Sequence, residues 1–112
     1  MGEWAVYELL HFATTDGHDL LQEWLDGLRD GRAFAVVLRR TDRVASGNFG
    51  DHAFCRDGIW GLRIDIGPGY RVYHALRGRT IVILLCRGDK RRQRRDIEQA
   101  VRSWREFQRG NR

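Results

Sequence analysis

The densest group of chemically capable side chains in this sequence is a basic stretch near the C-terminal end. Positions 87–95 read Arg-Gly-Asp-Lys-Arg-Arg-Gln-Arg-Arg, with six positive side chains. The stretch lies where a helix is expected to start, and cations there oppose the helix dipole and cost local stability. Charge runs commonly form solvated faces, but this placement favours a surface for RNA phosphates or an acidic partner. We assign RNA binding to Arg87, Arg91, Arg92, Arg94 and Arg95.

A predicted β-hairpin carries the second group of candidates. Gly67-Pro68-Gly69 is a strong turn signal, because glycine allows positive φ and proline fixes its own φ. Residues two apart on a strand share a face, so Arg63 lies beside Asp65, and Arg71 beside Tyr73 on the returning strand. The alternative is an exposed ion pair between Asp65 and either arginine, which would have little energetic worth. Residue types alone leave both interpretations open.

These residue types match the needs of RNA cleavage without a metal. Such a site needs a base for the ribose 2′-hydroxyl proton, positive charge against the developing phosphorane, and an acid for the leaving oxygen. Arginine cannot be the base, because its pKa exceeds about 12. The proton-transfer candidates are Asp65, Tyr73, His74 and His52, of which His74 is expected in the core and His52 in a loop. We assign catalysis to Arg63, Arg71, Lys90, Asp65 and Tyr73.

Several other chemistries lack their sequence signals. The Gly67-Pro68-Gly69 turn has neither the length nor the Lys-Ser/Thr ending of a phosphate-binding loop. No nucleophilic serine motif, zinc spacing or dinucleotide fingerprint occurs. Cys55 and Cys86 are expected to be reduced thiols rather than a disulfide or metal ligands. We therefore predict neither a metal nor a cofactor.

The first half of the chain is predicted to supply a strand and two helices. Residues 4–10 are rich in strand formers. Leucines and a tryptophan then recur at helical spacing over residues 19–29, after carboxylates that can cap a helix. A second helix follows directly and ends near residues 47–50, and so short a link predicts an antiparallel helical hairpin. Its expected buried face is Phe34, Val37, Leu38, Thr41 and Val44, and its wet side is Arg32, Arg39, Arg40 and Arg43.

The second half is predicted to form a meander of strands and a last helix. Residues 51–58 are expected to be a loop, after which apolar residues alternate from Trp60 to Ile66. The returning strand covers residues 70–76, and the apolar run 80–86 suits a central strand covered on both faces. Gly88 and Asp89 end that strand and cap a helix with an apolar stripe over residues 97–104. The predicted class is α+β, with a small, mostly antiparallel sheet flanked by the helical hairpin and the C-terminal helix.

Length and composition limit the type of protein. A chain of 112 residues predicts one domain, residues 1–112, with a single core. The formal charge of +5 predicts an anionic partner such as nucleic acid or an acidic protein. No apolar run approaches the length of a membrane span, and the first residues do not resemble a signal peptide. A cytoplasmic protein without membrane contact is expected.

Two segments resemble a known family. Leu62-Arg-Ile-Asp-Ile-Gly-Pro-Gly-Tyr-Arg-Val-Tyr73 and Ile81-Val-Ile-Leu-Leu-Cys-Arg-Gly-Asp-Lys90 closely resemble the RelE/ParE toxin superfamily, specifically the phage-derived, HigB-related addiction-module killer proteins. Residues 43–50 and 95–97 resemble the family's helix end before the sheet and its last helix. The resemblance covers nearly the whole chain, and the Gly-Tyr-Arg-Val-Tyr and Gly-Asp-Lys pieces are specific when they occur together in this order.

The resemblance implies a RelE-like toxin fold and the toxin of a type II toxin–antitoxin system. It implies an endoribonuclease that cleaves mRNA, often on the ribosome, and thereby inhibits translation. The implied partner is a helix-turn-helix antitoxin, through which alone the toxin would meet operator DNA. Arg63, Arg71 and Lys90 match basic positions of the family. RelE itself carries a basic residue where Asp65 stands and a tyrosine near Asp96, so the acid and base stay open.

Two other functions use the same fold. A ParE-like protein poisons DNA gyrase by binding and needs no catalysis or basic sheet face. An inactive regulatory homologue would bind only its antitoxin and, through it, operator DNA. The basic stretch is compatible with all three functions, so the sequence leaves RNA cleavage as the leading hypothesis and these two as alternatives.

Overall fold

Five strands form one mixed sheet in the computed structural model, which describes residues 6–110. The spatial order is β1-β5-β4-β3-β2. Strand β1 pairs with β5 in parallel, and the other three pairs are antiparallel. The predicted α+β class with a mostly antiparallel sheet is therefore confirmed. The strands are β1 (Glu8–His11), β2 (His52–Arg56), β3 (Ile59–Ile64), β4 (Tyr70–Arg77) and β5 (Ile81–Asp89).

Three helices accompany the sheet, and carboxylates mark where they begin. They are α1 (Leu20–Asp26), α2 (Gly31–Ala45) and α3 (Gln93–Gly110). Asp19 and Asp30 cap α1 and α2 by accepting hydrogen bonds from backbone N–H groups of the first turn. Asp89 accepts two such bonds, from Arg91 and Arg92, in the turn before α3. Helix α1 ends earlier than predicted, at a C-cap on Gly27.

The helices cover both faces of the sheet and produce two apolar clusters. Helices α1 and α2 pack Leu21, Leu25, Val37 and Val44 against one face. Helix α3 packs Ala100, Val101 and Trp104 against the other, which we call the α3 face. The main contacts of α1 are with β5 and those of α2 are with β1 and β3, so each helix rests on the sheet more than on its neighbour. Within residues 6–110, no helix is long and apolar enough to cross a membrane.

An irregularity in β5 changes which way its side chains point. Tyr73 pairs with Cys86, but His74 pairs with Leu84, so β5 has one extra residue between these pairs. Leu85 and Cys86 consequently both belong to the cluster on the α3 face. After Cys86 the side chains of β5 again alternate between the two faces, but shifted by one residue relative to the first part of the strand. Arg87 therefore lies on the opposite side of the sheet, with its guanidinium carbon 5.9 Å from the Trp24 ring centre.

Several predictions about the elements were wrong in detail. The predicted loop at residues 51–58 contains strand β2, which joins β3 through a tight turn with positive φ at Asp57 and Gly58. The Asp-Gly pair is a hairpin signal that the sequence reading missed. The first strand lies at Glu8–His11 rather than 4–10, and positions 4 and 5 fall outside the described residues. On α2, Leu38 is exposed instead of buried, and Arg40 is half-buried instead of on the wet side.

Candidate functional site

A cavity of about 240 Å³, which we call the cationic cavity, lies where β3 and β5 finish and β4 begins. Its lining contains three basic and two acidic side chains, so it has one net positive charge. Four of the five had been predicted as catalytic residues from the sequence; the fifth, Asp51, had not. The lining residues are Asp51, Arg63, Asp65, Arg71 and Lys90.

The two arginines of the cationic cavity face each other across neighbouring strands. Arg63 and Arg71 are direct register partners in the β3–β4 pair. Arg63 donates from Nε to Oδ1 of Asp51 at 3.0 Å, on the exposed edge of the cavity. The ion pair between Asp65 and an arginine, which had been the alternative to a functional site, does not form among the described residues. Asp65 lies just beyond the end of β3, exposed, at the rim of the cavity.

Arg71 and Lys90 keep most of their donors unused. Arg71 is half-buried; one terminal nitrogen donates to the Tyr70 carbonyl at a long 3.3 Å, and its buried Nε has no partner. Lys90 follows β5 directly and has no ion pair within residues 6–110. Its methylene chain lies over Gly69, where an added Cβ would come within 2.8 Å of Cε of Lys90. Gly69 thus permits both the positive φ of the turn and the approach of the lysine.

Helix α2 holds the Asp51–Arg63 pair through one arginine. The Arg40 guanidinium donates to the carbonyl of Arg63 at 2.6 Å, to that of Asp51 at 3.1 Å and to that of Phe49 at 3.0 Å. The backbone N–H of Arg63 also donates to the Asp51 carbonyl at 2.8 Å. Arg40 is therefore a positioning residue for one wall of the cavity. The sequence reading missed it because helical periodicity placed it among solvent-facing arginines.

A second cavity of about 170 Å³ adjoins the first on the α3 face, and we call it the inner slot. It shares Arg63 and Arg71 with the cationic cavity. Small and apolar residues form most of the rest, with Gln93 and Ile97 from α3 on one side. The slot is lined by Ala53, Phe54, Cys55, Gly61, Arg63, Arg71, Tyr73, Gln93 and Ile97.

Tyr73 lies in the wall of the inner slot rather than in the cationic cavity. It is 1% exposed, and its buried hydroxyl has no hydrogen-bond partner in the described part of the chain. Burial, with smaller contributions from Cys55 and Asp96, raises the pKa of the Tyr73 phenol well above its ordinary value. The phenol therefore stays protonated and cannot serve as a general base. Its role in the site is that of a hydrogen-bond donor or a packing group.

Gly88 allows this arrangement on the α3 face. It is the register partner of Arg71 on β5. An added Cβ would lie 2.6 Å from Cε2 of Tyr73 and 2.7 Å from Oδ2 of Asp96. That same Asp96 oxygen accepts a hydrogen bond from the Asp89 backbone at 3.2 Å. Glycine at this position lets the tyrosine ring and the first turns of α3 lie directly against the strand.

The two histidine candidates lie on the other side of the sheet. His74 is 1% exposed and stacks on Phe49, with ring centres 5.7 Å apart. Burial lowers the pKa of its imidazole to about 4, so the ring is neutral at physiological pH. His52 lies on β2 between the rings of Phe49 and Trp60. Neither imidazole lines the cationic cavity, which leaves its two carboxylates as the nearest bases.

The basic stretch is divided between the two sides of the sheet. Arg87 lies on the α1 side and forms an ion pair with Asp89 at 3.7 Å. This differs from its predicted place in one continuous surface, because the extra residue in β5 reverses its direction. Arg91, Arg92, Arg94 and Arg95 are exposed. Arg94 also lines a third cavity of about 290 Å³, the outer cavity, together with Cys55, Arg56, Gln93 and Ile97.

The acidic and thiol side chains do not gather into a metal site. Among the residues that the structure describes, no group of three or more His, Cys, Asp or Glu side chains could hold a metal ion. Cys55 is half-buried and Cys86 is buried, and both thiols are free. Burial raises the pKa of the Cys55 thiol, and Arg71 and Arg63 partly oppose that shift. Burial raises the pKa of Cys86 to about 12.

Comparison with other proteins yields a relative but no described activity. No family model matches the chain. A Haemophilus influenzae protein, described only as an uncharacterized protein, is 51% identical over 77 residues. The match covers 69% of this chain and 78% of that protein. The chain belongs to the same family as that protein. Because the name of the relative states no activity, the case for a function depends on the site.

Proposed function

We propose that this chain is the toxin of a type II toxin–antitoxin pair, with a RelE-like fold, and that it cleaves mRNA without a metal. The cationic cavity is the observation that carries the proposal. Two guanidiniums and an ammonium converge on a space of about 240 Å³, far above the roughly 30 Å³ that one liquid water takes up. Carboxylates stand at its rim. The resemblance of residues 62–73 and 81–90 to the RelE/ParE superfamily supports the same function.

The charges of the cavity suit a reaction in which negative charge grows on phosphorus. A phosphodiester carries one negative charge, and the phosphorane formed by attack of the 2′-oxygen carries a second. Preorganised cations stabilise the phosphorane more than the ground state. Arg71 and Lys90 are the main stabilisers, because the Nε of Arg63 is already engaged by Asp51. Arg63 contributes through its terminal nitrogens.

Proton transfer is assigned to groups at the same cavity. Asp65 takes the proton from the 2′-hydroxyl, since it is an exposed carboxylate at the cavity that forms no ion pair within residues 6–110. The 2′-oxygen attacks phosphorus, and the bond from phosphorus to the 5′-oxygen breaks. The Lys90 ammonium gives a proton to that leaving oxygen. The products are a 2′,3′-cyclic phosphate and a free 5′-hydroxyl, so no water enters the first step.

The partners follow from this role. The substrate is mRNA, met on the ribosome during translation, and cleavage inhibits translation in the cytoplasm. A helix-turn-helix antitoxin holds the toxin inactive and connects it to operator DNA. The cationic cavity favours RNA cleavage over gyrase poisoning, because a protein that acts by binding alone needs no cluster of free cations beside a carboxylate.

The proposal is tested by expressing the chain with and without an antitoxin while mapping RNA 5′ ends and gyrase-dependent DNA breaks. New RNA ends are expected with the wild type and are expected to be lost in Arg71→Ala and Lys90→Ala. Arg79→Ala is the matched control, since it removes an exposed arginine in the β4–β5 turn, outside the cationic cavity. DNA breaks without RNA ends would indicate a gyrase poison. If neither RNA ends nor DNA breaks appear, the result would indicate the regulatory homologue.

A further inference from the structure

Three cavities on one side of the molecule form a continuous row. The cationic cavity and the inner slot share Arg63 and Arg71. The inner slot and the outer cavity share Cys55, Gln93 and Ile97. Cations that form no ion pair with any of the residues 6–110 therefore lie at both ends of the row, Arg71 and Lys90 at one and Arg94 at the other. In the middle, Arg63 and Arg71 stand at the border with the cationic cavity, and the other lining residues carry no formal charge.

The inner slot has the shape and surface that suit a flat, mostly apolar ring. The small side chains of Ala53 and Cys55 on β2, and the absence of one at Gly61 on β3, leave space in the slot. A Cβ added to Gly61 would lie 3.2 Å from Cε1 of Tyr73, so a larger residue would crowd the tyrosine that lines the slot. Ile97 supplies an apolar side. A volume of about 170 Å³ has room for a ring of pyrimidine size.

Three side chains that line the slot carry polar groups without hydrogen-bond partners among residues 6–110. Two of them are buried atoms behind the slot surface, the hydroxyl of Tyr73 and Nε of Arg71, and neither makes a hydrogen bond to the described residues. The Gln93 side chain makes no hydrogen bond with any residue in the range 6–110, and it stands at the mouth, at the start of α3. A side-chain amide can read the edge of a base, because it both donates and accepts hydrogen bonds.

We propose that the inner slot binds the nucleobase next to the scissile phosphate, with the following phosphate at Arg94. Cations at the border between the cationic cavity and the slot, and again at Arg94, complement a nucleotide strand, in which phosphates alternate with bases. The inference rests on the proposed function and deepens it. A base that enters the slot must be unstacked and unpaired, so the substrate is single-stranded RNA. Gln93 then contributes to base preference.

The thiol of Cys55 allows a direct test in the wild-type protein. It lines the slot and is half-buried, whereas Cys86 is buried under α3. The experiment measures the rate at which iodoacetamide alkylates Cys55 in the presence of short 2′-O-methyl oligonucleotides, which cannot be cleaved because the 2′-oxygen is blocked. Binding of the same oligonucleotides is measured in parallel by fluorescence anisotropy.

An oligonucleotide with all its bases is expected to slow alkylation about tenfold at about ten times its Kd, because only the free protein then reacts. A fully abasic oligonucleotide of the same length is expected to bind through its phosphates without slowing alkylation. Inorganic phosphate is also expected to leave the rate unchanged. Full binding with no protection of Cys55, or equal protection by phosphate alone, would overturn the slot assignment.

Two variants keep the test independent of the thiol. Ala53→Leu fills the slot and is expected to weaken binding of the complete oligonucleotide about tenfold, which is about 1.4 kcal/mol, because the base can no longer enter. Ala35→Leu is the matched control, because it makes the same change at an exposed position of α2 that lines none of the three cavities. Equal binding by the two variants would contradict the inference. If the wild type binds no oligonucleotide at all, the proposed RNA function itself fails, which is a distinguishable result.

Discussion

Gly88→Ala tests whether the α3 face is packed as closely as the structure indicates. The added methyl carbon would lie 2.6 Å from the Tyr73 ring, 2.7 Å from Oδ2 of Asp96 and 2.9 Å from Cβ of Asp96. Only the carboxylate oxygen belongs to a flexible end; the ring lies in the core and Cβ of Asp96 is fixed to α3. Overpacking of this kind costs about 1–3 kcal/mol.

The matched control is Gly31→Ala at the start of α2, where an added Cβ meets nothing within 4 Å. That change is expected to raise the free energy of unfolding by about 0.4–1 kcal/mol, because alanine has less freedom in the unfolded chain. Urea denaturation of both variants measures the difference. For a chain of this size, Gly88→Ala is expected to lower the Tm by about 4 °C for each kcal/mol lost. A Gly88→Ala protein as stable as Gly31→Ala would refute the close packing of Tyr73 and α3 on β5.

Three further predictions concern individual side chains. Arg40→Lys is expected to lower the free energy of unfolding by about 1–3 kcal/mol, since an ammonium cannot replace the three carbonyl contacts of the guanidinium; unchanged urea denaturation would contradict its positioning role. Asp65→Asn is expected to slow RNA cleavage by about 10²–10⁴-fold, as for loss of a general base, with little change in RNA binding. Full activity of the variant would show that another group is the general base. The pKa of His74 is about 4 in the folded protein, below its value of about 6.5 in the unfolded chain. The unfolded state therefore binds more protons between about pH 4 and 6.5, and the free energy of unfolding rises with pH across that window. His74→Phe should flatten this slope in denaturation curves taken from pH 4 to 7, and a slope equal to that of the wild type would show that another group is responsible.

The strands that carry the candidate site could be predicted because their signals are local. Alternation and the Gly67-Pro68-Gly69 turn determine that Arg63 and Arg71 share a face, and the structure pairs them directly. The same alternation put Asp65 beside Arg63, although β3 ends one residue before it, and Lys90 was placed by the end of the apolar run before it. These are properties of neighbouring residues, which is why sequence reading located four of the five side chains that line the cationic cavity.

The remaining features depend on contacts between distant parts of the chain. Asp51 reaches Arg63 because β2 and the segment before it are held by Arg40 of α2, a contact that no local pattern encodes. Arg87 points away from the other arginines because one extra residue in β5 reverses the alternation. Tyr73 is buried, rather than open to the cationic cavity, because α3 covers it. A two-residue period cannot reveal an insertion in the ladder or a helix packed on top of it.

The central claim is tested most directly by the ends of the RNA that the purified protein produces in the presence of EDTA. Messenger RNA, free and on translating ribosomes, is incubated with the wild type, Arg71→Ala, Lys90→Ala and the control Arg79→Ala. The account predicts fragments with 2′,3′-cyclic phosphate and 5′-hydroxyl ends from the wild type and control. It predicts a loss of about 10²–10³-fold in the rate for Arg71→Ala and Lys90→Ala. Intact RNA with the wild-type protein in both settings, or cleavage that does not change in Arg71→Ala and Lys90→Ala, would contradict it.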